Sequence, residues 1–204
     1  MRFKTIKNVI DKTYDILPLK GVFQQALGAP ESNGLWLIYG KEKHGKTTIS
    51  LILANYLSTI YKTLFVMAEQ GFDADFQKLI LDLNIDVRNK NLLLEEYIPI
   101  DELDRKLKLA RHPKIVLLDN ITVYADELKN GRLRRLISSH NRILFILIAH
   151  EDKGQPYTAT GKLAKKLARR IIHVEGLSAT VEGRTEGGMM RMDQNSSTLY
   201  WGND

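Results

Sequence analysis

Gly40-Lys41-Glu42-Lys43-His44-Gly45-Lys46-Thr47, followed by Thr48, matches the spacing G-x-x-x-x-G-K-[ST] in full. That spacing is the phosphate-cradling P-loop pattern, and its flanks have the form such a loop requires. Ahead of it, Leu35-Trp36-Leu37-Ile38-Tyr39 reads as a short buried strand. Behind it, Thr48 to Leu57 reads as a helix packed on a sheet. The glycines let the backbone curl so that successive N–H groups face phosphate oxygens, and the helix N-terminus adds partial positive charge. In this pattern Lys46 reaches the β- and γ-phosphates of a nucleotide, and the Thr47 hydroxyl holds Mg²⁺.

The 204 residues suit one α/β domain, with residues 1–33 as a lead-in segment and 34–204 as the core. Hydrophobic residues make up 44%, enough for a packed interior. The absence of cysteine excludes disulfides, thiolate zinc sites and cysteine nucleophiles. Met1-Arg2-Phe3-Lys4-Thr5-Ile6-Lys7 lacks the apolar run of a signal peptide, and no stretch approaches membrane-spanning length. A cytoplasmic protein with no membrane partner is expected. Thirty Lys and Arg stand against 24 Asp and Glu, a balance compatible with a polyanionic partner.

Beyond the loop, apolar runs alternate with helical patterns. Lys62 to Ala68, Asn91 to Tyr97, Lys114 to Asp119, Arg142 to Ala149 and Ile171 to Glu175 read as strands. Asp73 to Leu83, Asp101 to Arg111, Asp126 to His140 with a break available at Gly131, and Gly161 to Arg170 read as helices. Met189 to Met192 and Thr198 to Trp201 suit an edge hairpin, with turns at 182–188 and 193–197. The alternation predicts right-handed crossovers, a mainly parallel sheet flanked by helices, and a C-terminal antiparallel hairpin. Ligands in such sheets sit at the carboxyl ends of the strands, here Gly40, Glu69, Asp119 and His150.

Asp119 follows four apolar strand residues, the arrangement of a Mg²⁺-binding carboxylate at a strand tip. An aspartate there also suits a helix cap, and the P-loop upstream favours the metal role. Glu69 follows Phe65-Val66-Met67-Ala68. By position it suits either a base for the water attacking a γ-phosphate or a solvated loop residue.

Taken together, these segments resemble the RecA/RadA/DnaB-type P-loop ATPases. Gly40 to Thr48 is similar to that family's P-loop, Ile115 to Asp119 to its Walker B strand, and Leu64 to Gly71 to its strand ending in Ala-Glu. Leu17 to Gly34 resembles the lead-in to its P-loop, and Ile143 to His150 the strand after Walker B. The resemblance implies a RecA-like fold that binds ATP and Mg²⁺. It puts the family's catalytic glutamate on Glu69, with Lys46 on the phosphates. It also puts His150 where the family often has a γ-phosphate-sensing glutamine. Near 182–188 it implies a finger reaching the neighbouring subunit's nucleotide. Arg184 falls on the arginine of that pair, while Glu182 replaces its lysine. Self-association with nucleotide at the subunit interface follows, although a turn arginine is also an ordinary surface residue.

In RecA-like proteins the loops after the central strands hold DNA. The corresponding segments carry Arg132, Arg134 and Arg135, then Lys153 and Tyr157 on a flexible polar stretch, then Lys162, Lys165 and Lys166. Such groups suit single-stranded DNA, and equally the solvated face of a helix. The expected function is an ATPase acting in DNA recombination, repair or replication. The alternatives are a non-catalytic nucleotide-gated assembly module and a small-molecule kinase.

Overall fold

The computed structural model describes residues 3–183 and 187–191. Arg184 and the Thr198–Trp201 strand lie outside the described residues. In chain order the elements are α1 (Ile6–Ile10), α2 (Gly21–Leu27), β1 (Gly34–Gly40), α3 (Lys46–Ser58), β2 (Thr63–Met67) and α4 (Ala74–Asp82). Then come β3 (Leu92–Glu95), α5 (Ile100–Leu107), β4 (Ile115–Asp119), α6 (Ala125–Leu128), α7 (Arg132–Ser139) and β5 (Leu144–Asp152). The last are β6 (Gln155–Pro156), α8 (Ala159–Leu167), β7 (Arg170–Glu175), β8 (Ser178–Gly183) and β9 (Gly188–Arg191).

The sheet order is β3-β2-β4-β5-β1-β7-β8-β9, with β6 paired to β5. The pairs from β3 through β7 are parallel, and β7-β8 and β8-β9 are antiparallel. Alternation within β1 divides the core. Trp36 and Ile38 pack with Leu51, Leu53 and Phe65 on the α3 side. Leu35, Leu37 and Tyr39 pack with Leu103, Leu133 and Phe145 on the side of α5 to α8. Both faces are covered, which is why these strands are apolar throughout. Each fully buried Leu or Phe contributes roughly 1.5–3 kcal/mol to this packing.

Local chemistry sets the boundaries. Asp73 caps α4 by accepting from Phe76 N, and Thr158 caps α8 by accepting from Gly161 N. Gly131, at φ 81°, separates α6 from α7. The α5 helix begins at Ile100 with Pro99 before it, so Asp101 lies in its first turn.

Two segments differ from the sequence-based expectation. Lys153 to Gly161, expected as a flexible stretch, holds regular structure. Lys153 and Gly154 (φ 49° and 76°) turn the chain so that β6 pairs back on β5, and α8 starts at Ala159. In the tail, Glu182 and Gly183 belong to β8 instead of a turn. A hairpin around Gly176-Leu177 (φ 52° and 59°) joins β7 and β8, and β9 is the antiparallel edge strand expected near Met189 to Met192. Leucine disfavours the left-handed region that this turn uses, so Gly176 is the only turn signal the sequence carries there.

Candidate nucleotide site

Gly40 ends β1 between His150 of β5 and Val174 of β7. A side chain at Gly40 would meet the Val174 carbonyl oxygen at 2.1 Å, so only glycine fits this close approach. The loop then returns to α3 through Gly45 in the left-handed region. The α3 N-terminus has no side-chain cap and no acid in its first turn. Its first N–H groups therefore face a cavity of about 460 Å³ as unpaired donors suited to an anion.

Lys46 is buried and its Nζ donates to the Lys41 carbonyl at 2.7 Å, bridging the loop. Burial lowers its pKa, partly offset by the carboxylates of Asp119 and Glu69. Opposite, the Thr47 hydroxyl donates to Asp119 Oδ2 at 2.8 Å. Asp119 is buried at the tip of β4, and that burial pushes its carboxyl up to about 6. The Thr47 hydrogen bond acts in the other direction, and the nearby Glu69 charge adds to the rise. A hydroxyl and a carboxylate in contact form a hard oxygen donor pair, the chemistry a Mg²⁺ ion takes.

Glu69 sits just past β2, facing the same cavity. Its Oε2 accepts from Asn120 Nδ2 at 2.6 Å. His150 Nε2 lies 3.1 Å from both carboxylate oxygens. An ionised carboxylate only accepts, so Nε2 carries the proton. His150 Nδ1 is buried and has no hydrogen-bond partner among the described residues. Asn120 is fully buried, and its Oδ1 accepts from Thr122 N at 2.6 Å. Glu69 is therefore held from two neighbouring strands.

Of the P-loop residues singled out in the sequence, Glu42, Lys43, Gly45, Lys46, Thr47 and Thr48 line the cavity. Gly40, Lys41 and His44 support it from behind. His44 Nδ1 accepts from Gly176 N at 3.2 Å, and Lys41 lies 3.9 Å from Glu175, so the β7-β8 turn braces the loop. Sequence reasoning missed Asn120, Met67, Gln70 and Leu177. Asn120 directly follows Asp119 and could have been suspected from that place. Leu177 had no signal, because the hairpin that carries it was not foreseen.

The candidate nucleic-acid residues separate. Lys153, Tyr157, Lys162 and Lys166 are exposed, Tyr157 at 63%. Lys165 points inward, donating to Tyr39 Oη at 2.8 Å and lying 4.3 Å from the centre of its ring. Arg132 pairs with Asp101. Arg134 and Arg135 line a cavity with Gly34 and Leu35, at the end of β1 away from the P-loop.

No protein-family model and no curated protein sequence matches the chain. Its architecture is similar to the flagellar accessory protein FlaH of Methanocaldococcus jannaschii, with a TM-score of 0.66 and 16% identity over 89% of this chain and 96% of that one. It is also similar to a KaiC-like protein of Pyrococcus horikoshii, with a TM-score of 0.63 and 17% identity over 87% and 93%. Parallel sheet, P-loop at the end of β1 and antiparallel C-terminal strands together give this chain the fold of the RecA-like P-loop ATPases.

Proposed function

We propose that this protein binds ATP with Mg²⁺ at the P-loop and hydrolyses it to ADP and phosphate. The observation that carries this reading is the 2.8 Å contact of Thr47 with Asp119 beside buried Lys46. Lys46 and the α3 N–H groups would bind the β- and γ-phosphates, and Thr47 and Asp119 would hold the metal. Mg²⁺, when bound, neutralises charge on the phosphate oxygens. Glu69 orients a water molecule and takes its proton as the new P–O bond forms. The bond from the γ-phosphorus to the bridging oxygen breaks, and ADP leaves. Asn120 and His150 keep the Glu69 carboxylate in one orientation.

The test is Glu69→Gln, measured by phosphate release and by nucleotide binding. Loss of release by about 10²–10⁴-fold with binding retained supports the proposal. A second reading, a nucleotide-gated assembly module, draws on the same contacts: Asn120 and His150 occupy lone pairs that would receive the proton. A wild-type rate already negligible, with binding intact, would favour that module.

Single-stranded DNA along the β5-β6 turn is the further part of this reading. The exposure of Lys153, Tyr157, Lys162 and Lys166 supports it, with phosphate contacts from the lysines and base stacking on Tyr157. A role in recombination, repair or replication, and Arg184 acting in trans between self-associated subunits, rest on the family resemblance. ATPase rates with and without single-stranded DNA, alongside solution mass, test both.

A further inference from the structure

We propose that the edge of the sheet opposite the P-loop is a separate polyanion-binding face, and that its partner is a nucleic-acid phosphate backbone. A parallel sheet gathers all its strand starts on one edge. The segments leading from a helix into a parallel strand are 28–33, 59–62, 83–91, 108–114, 140–143 and 168–169. They hold eight lysines and arginines against two acids, Glu31 and Asp86. The segments on the P-loop edge are balanced, with Lys41, Lys43 and Lys153 against Glu42, Glu69, Asp73 and Glu96. The chain's excess positive charge thus has a direction in the fold.

Backbone hydrogen bonds set these cations in a row. Thr63 N donates to Asn91 O, Lys114 N to Lys62 O, Leu144 N to Lys114 O, Gly34 N to Ile143 O, and Arg169 N to Leu35 O, at 2.8–3.0 Å. Lys90, Lys62, Lys114, Arg142 and Arg169 therefore follow one another in strand order across β3, β2, β4, β5 and β7. At about 4.8 Å between strands, the five gaps from β3 to β7 span roughly 24 Å.

Some of this charge is locally neutralised. Lys114 lies 3.9 Å from Asp15, and Arg169 lies 2.8 Å from Glu31. Arg88 pairs with Asp86 and Lys108 with Asp104. Among the described residues, no ion pair engages Lys62, Lys90, Arg111 or Arg142. Lysines at helix C-termini also offset the helix dipole, but that effect fades within the last turn. Lys90 lies well past the end of α4 at Asp82.

A line of cations matches a line of phosphates, which a nucleic acid supplies at one charge per ~1.7 Å of duplex axis. An anionic bilayer would favour a continuous apolar face beside the cations. Of the exposed apolar residues here, Val87 and Leu109 stand on separate loops, and Tyr14 and Ile16 stand apart from them on the lead-in segment beside Arg169. This face uses neither the P-loop nor the β5-β6 turn.

The test compares wild type with Lys62→Gln/Lys90→Gln/Arg142→Gln and with Lys153→Gln/Lys162→Gln/Lys166→Gln. Binding of fluorescein-labelled oligothymidylate and of a short DNA duplex is measured by anisotropy across a salt titration. Vesicles containing phosphatidylserine form a parallel arm. The edge variant is expected to lose roughly 10- to 50-fold in affinity for the nucleic acid, with a log–log salt slope shallower by about 2. Its ATP affinity and melting temperature should match wild type. Unchanged oligonucleotide affinity, loss only in the turn variant, binding to vesicles alone, or no binding by wild type would each overturn the proposal. So would a drop in melting temperature as the edge variant's sole effect, which would mark these cations as structural.

Discussion

Replacing Asp119 by Asn should make the nucleotide-free protein more stable while removing its response to Mg²⁺·ATP. The Asp119 carboxyl is buried and its pKa is raised from 3.8 to about 6. A folded-state pKa above the unfolded one makes ionisation work against folding. The stability of the protonated form is complete below the unfolded value of 3.8 and is lost as pH rises through about 6. The shift of about 2 units corresponds to roughly 3 kcal/mol at about pH 7, good to the order of magnitude. Asparagine keeps the shape and can still accept from Thr47 without bearing charge. Urea denaturation without nucleotide should therefore show the variant more stable by up to about 3 kcal/mol near pH 7, with the gap closing toward about pH 4. With Mg²⁺·ATP at about a hundred times its dissociation constant, wild type should gain roughly 2.7 kcal/mol and the variant far less. A variant less stable than wild type near neutrality, or a gap that does not change with pH, would refute the reasoning.

Other outcomes follow from the same geometry. The Gly40→Ala side chain would meet Val174 O at 2.1 Å, so denaturation should show a loss of about 1–3 kcal/mol or more; an unchanged midpoint would contradict the close approach. For His150→Ala, removing one donor to Glu69 should lower kcat and leave the nucleotide dissociation constant unchanged. If affinity falls in step with kcat, His150 acts on phosphate instead.

The sequence alone sufficed for features made by neighbours along the chain. The curl from Gly40 to Thr47 closes on itself, with Lys46 reaching back to Lys41, and glycine spacing encodes that closure directly. The apolar runs of β1, β2, β4 and β5 were legible because burial on both faces leaves no polar alternation. Asp119 and Glu69 were legible as strand-end acids, but not what each would touch. β8 was hidden because its turn residues, Gly176 and Leu177, include one that normally avoids a left-handed turn.

Tertiary structure decided the partnerships. Thr47 and Asp119 are 72 residues apart, and Glu69 and His150 are 81 apart. They meet because the sheet sets β2, β4, β5 and β1 side by side, an order that no local pattern specifies. The same order aligns the cations of the opposite edge, which in the sequence are only scattered lysines and arginines. Local backbone preference acts over a few residues, whereas strand order depends on which apolar faces bury one another, so only the folded chain shows it.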